Sequence, residues 1–154
     1  MPDIDWNMLR DNAIRAAAGA YAPYSRFPVG AAALVDDGRV VTGCNVENVS
    51  YGLGLCAECG VVCALRSTGG GRLVALACVD AQGSPLMPCG RCRQVLLEHG
   101  GPEMRIDHPA GPAGWPTCCP MPLVPTTSPG NVLDRLRIRR ADGDQNQARR
   151  RQVV

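Results

Sequence analysis

Apolar positions recur with a helical period near the start of the chain. Ile4, Met8, Leu9, Ala13, Ala16 and Ala17 fall near one face of a helix predicted over residues 4–20. Residues 21–28 contain two prolines and read as a loop. The pattern then shortens to that of strands. Residues 29–35 read as one strand, Asp36-Asp37-Gly38 as a turn, and residues 39–46 as a second strand. Residues 48–55 form an irregular, Gly-containing connection. Residues 57–67 predict a helix closed by Gly69-Gly70-Gly71. The apolar run over residues 73–80 predicts a central, buried strand. Pro88 opens a helix reaching about Glu98 and stopped by Gly100-Gly101, and residues 104–108 read as a short strand. The order is helix, two strands, helix, strand, helix, strand. It predicts a mixed sheet flanked by helices in one α/β domain.

After His108 the periodicity stops. Residues 109–129 hold seven of the thirteen prolines, residues 133–140 suit a helical turn or two, and residues 141–154 are polar and Arg-rich. The chain therefore divides into a folded domain, residues 1–110, and a Pro/Arg-rich tail, residues 111–154, expected to be disordered. Charge follows nearly the same division. Residues 1–108 carry 9 Arg against 11 Asp and Glu, and residues 109–154 carry 7 Arg against 3 Asp. A mildly acidic body argues against broad binding to a phosphate backbone, and the basic tail reads as a solvated charge run. The absence of Lys reads as genomic base composition.

A length of 154 residues allows one domain with a real core. No apolar run approaches a membrane span, and residues 1–6 show no secretory pattern. A cytoplasmic protein with no membrane or nucleic-acid partner is expected. In a reducing compartment the nine cysteines read as metal ligands or buried thiols rather than disulfides.

Two segments carry chemistry. Pro88-Cys89-Gly90-Arg91-Cys92 puts two thiols three apart at a helix start, where they can share one metal. Alone it is ambiguous: a redox pair, half of a structural zinc site and two buried thiols all fit. Cys56-Ala57-Glu58 adds a third thiol at another helix start, with a carboxylate two residues on. Three ligands leave a coordination position open, which marks a catalytic zinc site able to activate water near neutral pH. Glu58 is the candidate proton carrier; its plainer reading is a helix-N-terminal Glu favoured by the macrodipole. Three thiolates overbalance the metal's charge, and two helix N-termini aimed at the site would partly offset this. His99 reads as a partly positive ring at a helix C-terminus, and His108 has no ligand spacing. Cys44 reads as a packing residue, and Cys59, Cys63 and Cys78 as small buried hydrophobes.

Cys-Ala-Glu followed by Pro-Cys-Gly-x-Cys resembles the zinc signature of the cytidine deaminases in their short, three-Cys form. Tyr24-Ser25-x-Phe27-x-Val29-Gly30-Ala31 resembles that family's N-terminal motif. Gly43-Cys44-Asn45-Val46-Glu47-Asn48, with Ser50-Tyr51-Gly52, resembles its nucleoside-binding segment. The likeness covers residues from about 8 to 108 in order. It implies a cytidine-deaminase-like α/β/α sandwich. It also implies one zinc ion per chain on Cys56, Cys89 and Cys92, with Glu58 moving protons. Phe27 would lie against the pyrimidine, Asn45 and Glu47 would bind the ribose hydroxyls, and Ala57 and Tyr51 would line the pocket. Without the resemblance, Phe27 could equally be a core aromatic, and Asn45 and Glu47 a polar strand edge. The implied reaction is hydrolysis of cytidine and 2′-deoxycytidine to the uridine forms and ammonia, in pyrimidine salvage, by a homotetramer.

A relative acting on another aminopyrimidine or on single-stranded nucleic acid is a second reading; a carboxylate at Glu47 disfavours a phosphate near the sugar. A structural zinc module or inactive paralogue is a third, opposed by Glu58. Two features depart from the family pattern. Cys59 stands where many short-form members carry an Arg that donates to the zinc thiolates. The tail lacks the closing segment Leu-x-x-Leu-Leu-Pro-x-x-Phe, whose aromatic serves a neighbouring subunit's pocket. When each back-translated codon's third base is joined to the next two, residues 114–123 give a series that matches that segment. The series is Leu/Val/Met, Ala, Asp/Asn/His/Tyr, Leu/Val/Met, Leu, Pro/Ser, Asp/Asn/His/Tyr, Ala, then a position open to Phe. A displaced reading frame is the expectation for the tail.

Overall fold

The computed structural model describes residues 3–114. These residues fall in one compact unit. The predicted tail lies outside them except for its first four residues, 111–114.

The first helix, α1 (Trp6–Ala17), is shorter than its apolar pattern. Asp5 sets the start: its carboxylate accepts the Met8 backbone N–H at 2.9 Å and satisfies one unpaired helix-end donor. Leu9, Ala13 and Ala17 form the buried stripe. Strands β1 (Val29–Val35) and β2 (Val40–Cys44) form a hairpin around the Asp36-Asp37-Gly38 turn, where Gly38 takes φ 89°. β2 stops short of the predicted Val46. Beyond Cys44 the backbone turns away to bridge Val46 with Tyr21 and Leu55. A 3-10 turn (Tyr51–Leu53) occupies the irregular connection. Helix α2 (Ala57–Ser67) and strand β3 (Leu73–Asp80) match their predicted bounds. Helix α3 (Gly90–Gly100) begins after Pro88 rather than at it, with Cys89 as its cap. Strand β4 shrinks to Arg105–Ile106. An unpredicted strand, β5 (Ala113–Gly114), pairs with it, so the sheet runs past residue 110.

The strand order is β2-β1-β3-β4-β5, antiparallel except for the parallel β3–β4 pair. The expected mixed α/β/α sandwich is what forms. On one face Leu9 and Ala13 of α1 pack with Ala32, Leu34, Ala75, Ala77 and Val79. On the other face Val61, Leu65 and Leu96 of α2 and α3 pack with Ala31, Ala33, Leu76 and Ile106. Strands buried on both faces have no alternation to read, which is why β1 and β3 appear as unbroken apolar runs. The pairing skips from Ala75 to Leu73 between Leu34 and Val35. That irregularity puts Leu73 on the face of Leu76 and Cys78 despite its odd spacing from them.

Arg10 of α1 forms a bidentate ion pair with the buried carboxylate of Asp107, at 2.6 and 2.7 Å. It fastens α1 to the chain after β4. Among the described residues no helix is long and apolar enough to cross a membrane.

Candidate zinc site and nucleoside pocket

Two helix starts converge on one point. Cys56 caps α2, Cys89 caps α3 and Cys92 lies in the first turn of α3. Gly43 of β2 makes the α2 placement possible. A Cβ on Gly43 would sit 2.4 Å from the Ala57 carbonyl oxygen and 2.5 Å from the Val61 nitrogen, so only hydrogen lets the helix lie this close. The approach sets Ala57 and Glu58, both buried, against the sheet edge.

The three thiol sulfurs lie within 4.8 Å of one another, and Cys56 and Cys89 are 3.8 Å apart. Two sulfurs about 2.3 Å from one tetrahedral zinc stand about 3.8 Å apart, so the set fits zinc. Cys92 is fully buried, and burial pushes its thiol well up from the ordinary range; burial also raises Cys56. Burial raises Cys89 too, but hydrogen bonds from Cys92 and Cys56 outweigh it and leave that thiol below its ordinary value.

The cluster opens into a cavity of about 460 Å³. Glu58, Ala57 and Cys78 line it beside Cys56 and Cys89, and Asn45, Glu47 and Tyr51 line it from the segment that precedes α2. Asn45 and Glu47 also hold the loop over residues 21–28. The Asn45 Oδ1 accepts the Val29 N–H at 2.8 Å and its Nδ2 donates to the Phe27 carbonyl at 3.0 Å. The Glu47 carboxylate accepts the Tyr24 and Ser25 N–H groups at 3.0 and 3.2 Å. Hydrogen bonding to Ser25, then to Tyr24, holds Glu47 below the usual carboxylate range.

Eight of the nine expected site residues therefore line the cavity or belong to the sulfur cluster that opens into it. Phe27 does not: it is 48% exposed and outside the lining. Tyr51 lies at the mouth and is 89% exposed.

Other expectations are corrected. Cys78 is buried as expected, but Cys63 is exposed and Cys59 only half-buried, since α2 turns these positions toward its open side. Burial and the nearby Arg66 lower the His99 pKa, so its ring is less readily charged than its helix-end position suggested. The His108 Nδ1 accepts the Ala110 N–H at 3.0 Å, a local turn contact. Sequence reasoning missed Tyr24 and Arg91, which also line the cavity. Arg91 was visible as the one charge inside the Cys89–Cys92 motif.

Residues 6–106 match the family described as the cytidine and deoxycytidylate deaminase zinc-binding region. A cytidine deaminase of Mycobacterium tuberculosis is 84% identical over 112 residues, covering 73% of this chain and 84% of that protein. One from Halalkalibacterium halodurans is 50% identical over 95 residues, covering 62% of this chain and 72% of its own. The crystal structure of cytidine deaminase from M. tuberculosis superposes with a TM-score of 0.77 at 76% identity, covering 79% of this chain and 99% of that one. The structure from M. leprae gives 0.75 at 58% identity, covering 77% and 100%. With its three-sulfur cluster, its buried glutamate and these likenesses together, the chain belongs to the cytidine and deoxycytidylate deaminase family.

Proposed function

We propose that this protein hydrolyses cytidine and 2′-deoxycytidine to uridine and 2′-deoxyuridine, releasing ammonia, with one zinc ion per chain. The observation that carries this reading is the buried Glu58 carboxylate in the same cavity as the three-thiol cluster. Cys56, Cys89 and Cys92 would hold the zinc, which would supply water activation and stabilisation of charge on the attacking oxygen. Glu58 performs the proton transfers. It takes a proton from the attacking water as oxygen bonds to C4, and delivers it to N3. It then moves the remaining proton from the new C4 hydroxyl to the exocyclic amine, as the C4 carbonyl forms, the C4–N bond breaks and ammonia leaves. Water supplies the oxygen gained by the ring, the proton kept at N3 and the third hydrogen of the ammonia, so the step balances without another reactant. Burial keeps the carboxylate close to these atoms and away from competing solvent.

Asn45 and Glu47 bind the ribose hydroxyls, while Ala57 and Tyr51 contribute to the pocket wall and Phe27 faces the pyrimidine. Their grouping supports these roles, except that Phe27 must turn inward or be used across a subunit contact. A homotetramer working in cytoplasmic pyrimidine salvage completes the reading. Exposed Val49, Tyr51, Leu53 and Leu55 near the mouth support a subunit contact there.

The chain beyond residue 110 is read in a displaced frame in this proposal, which weakens assembly and lowers turnover. The deciding assay follows the fall in cytidine absorbance with purified protein of known zinc content. Slow but zinc-dependent loss of cytidine is expected. A zinc-loaded protein with its tail restored that leaves cytidine unchanged would refute the reading.

A further inference from the structure

The cluster has a charge problem that its ligands alone do not solve. Three thiolates on a divalent ion leave a net negative charge, and buried Glu58 adds a further carboxylate. The first turn of α2, Ala57-Glu58-Cys59-Gly60, carries no cation. Uncompensated charge at a partly dry site is costly.

Arg91 meets this need from the other helix. Its Nη2 donates to the Gly54 carbonyl at 3.0 Å and to the Cys56 sulfur at 3.6 Å. Gly54 lies two residues before Cys56, so one guanidinium nitrogen grips both the ligand and the segment leading into α2. Arg91 itself stands between Cys89 and Cys92 at the start of α3. The backbone that carries two ligands thus sends a cation to the third. Arg93, the next cation along α3, instead donates from its Nε to the Pro88 carbonyl at 2.8 Å.

We propose that Arg91 is a positioning residue of the zinc site, holding Cys56 in place and offsetting the thiolate charge across the α2–α3 junction. The inference rests on zinc occupying the cluster. Partners that orient metal ligands from outside the coordination shell are typically worth about 10–100-fold in metal affinity or activity. Arg suits this position because its Nη2 carries two N–H donors, one for each acceptor, and its charge persists at all working pH values.

The test uses the full chain loaded with cobalt(II), whose sulfur-to-metal absorption reports the donor strength of the thiolates. In Arg91→Ala this band should move to longer wavelength, because an uncompensated sulfur gives up electron density more readily. Zinc affinity, read by chelator competition, should fall about 10–100-fold. Arg91→Lys should fall between the two, keeping the charge but carrying it on a compact ammonium of different reach. In the double variant Arg91→Ala/Cys59→Arg the new cation stands one turn from Cys56, and both readouts should return toward the parent. An unmoved band with unchanged zinc affinity in Arg91→Ala overturns the proposal. Failure of the double variant to recover overturns the charge role. A parent protein showing no sulfur-to-cobalt band fails at an earlier point, on the metal reading itself.

Discussion

The sulfurs of Cys56 and Cys89, 33 positions apart in the chain, lie 3.8 Å from one another at the starts of two helices. That separation suits two thiolates on one tetrahedral ion. Cys56→Ala and Cys92→Ala should each lose zinc and activity together, as measured by metal content and cytidine turnover. Full zinc occupancy in Cys56→Ala would remove that residue from the ligand set.

Glu58→Gln keeps the shape of the side chain and removes its ability to carry a proton. A general acid–base group is typically worth about 10²–10⁴-fold, and the loss in turnover should be at least of that order with zinc retained. Full activity in this variant would exclude the proton-transfer role.

Glu47 has two jobs on this reading: it binds the sugar and it clamps the Tyr24–Ser25 backbone. Hydrogen bonds to a charged group contribute about 1.5–3 kcal/mol, so Glu47→Ala should lower kcat/KM for cytidine roughly tenfold or more. Free cytosine, which has no sugar, should be a poor substrate, and equal turnover of the two would contradict the assignment. Acid should weaken the clamp in a defined direction. The folded-state pKa of Glu47 is depressed, so its contribution is present above the ordinary carboxylate value and is lost as pH falls through the lowered one. The loop should therefore remain clamped through neutral pH and release only in strong acid, a transition visible in the fluorescence of Tyr24.

Gly43→Ala should separate β2 from α2. The added methyl would meet backbone atoms of Ala57, Gly60 and Val61, which cannot rotate away. Overpacking of this kind costs about 1–3 kcal/mol, and here it should also displace Cys56 and Glu58. A lower denaturation midpoint and lower zinc content are expected. Parent-like values of both would show that the close approach does not position the site.

The tail makes a prediction about the gene. Shifted by the stated frame, the codons of residues 114–123 should contain an open Leu-x-x-Leu-Leu-Pro/Ser-x-Ala-Phe stretch. Nucleotide sequencing decides this directly, and its absence ends the idea. Where it is present, a tail-restored chain should assemble and turn over cytidine better than this one. Subunit mass in solution and initial rates measure the two effects.

Much of the frame was legible without coordinates. The bounds of β1, α2 and β3 were readable because their apolar runs end at turn residues or glycines that stop regular structure locally. The Cys-Ala-Glu and Cys-Gly-x-Cys segments carried the metal and proton chemistry because ligand spacing and helix starts are short-range properties. Periodicity cannot report partners distant in the chain. It left open the β2-β1-β3-β4-β5 order, the β5 strand and the pairing irregularity that turns Leu73 onto the face of Leu76. Only tertiary structure closed the distance between Cys56 and Cys89, bound Asn45 and Glu47 to the loop over residues 21–28, and brought Arg91 to the Cys56 sulfur. The physical reason is common to all three: such contacts depend on how closely whole elements approach, and that distance is set by packing at positions such as Gly43, far from the residues that meet.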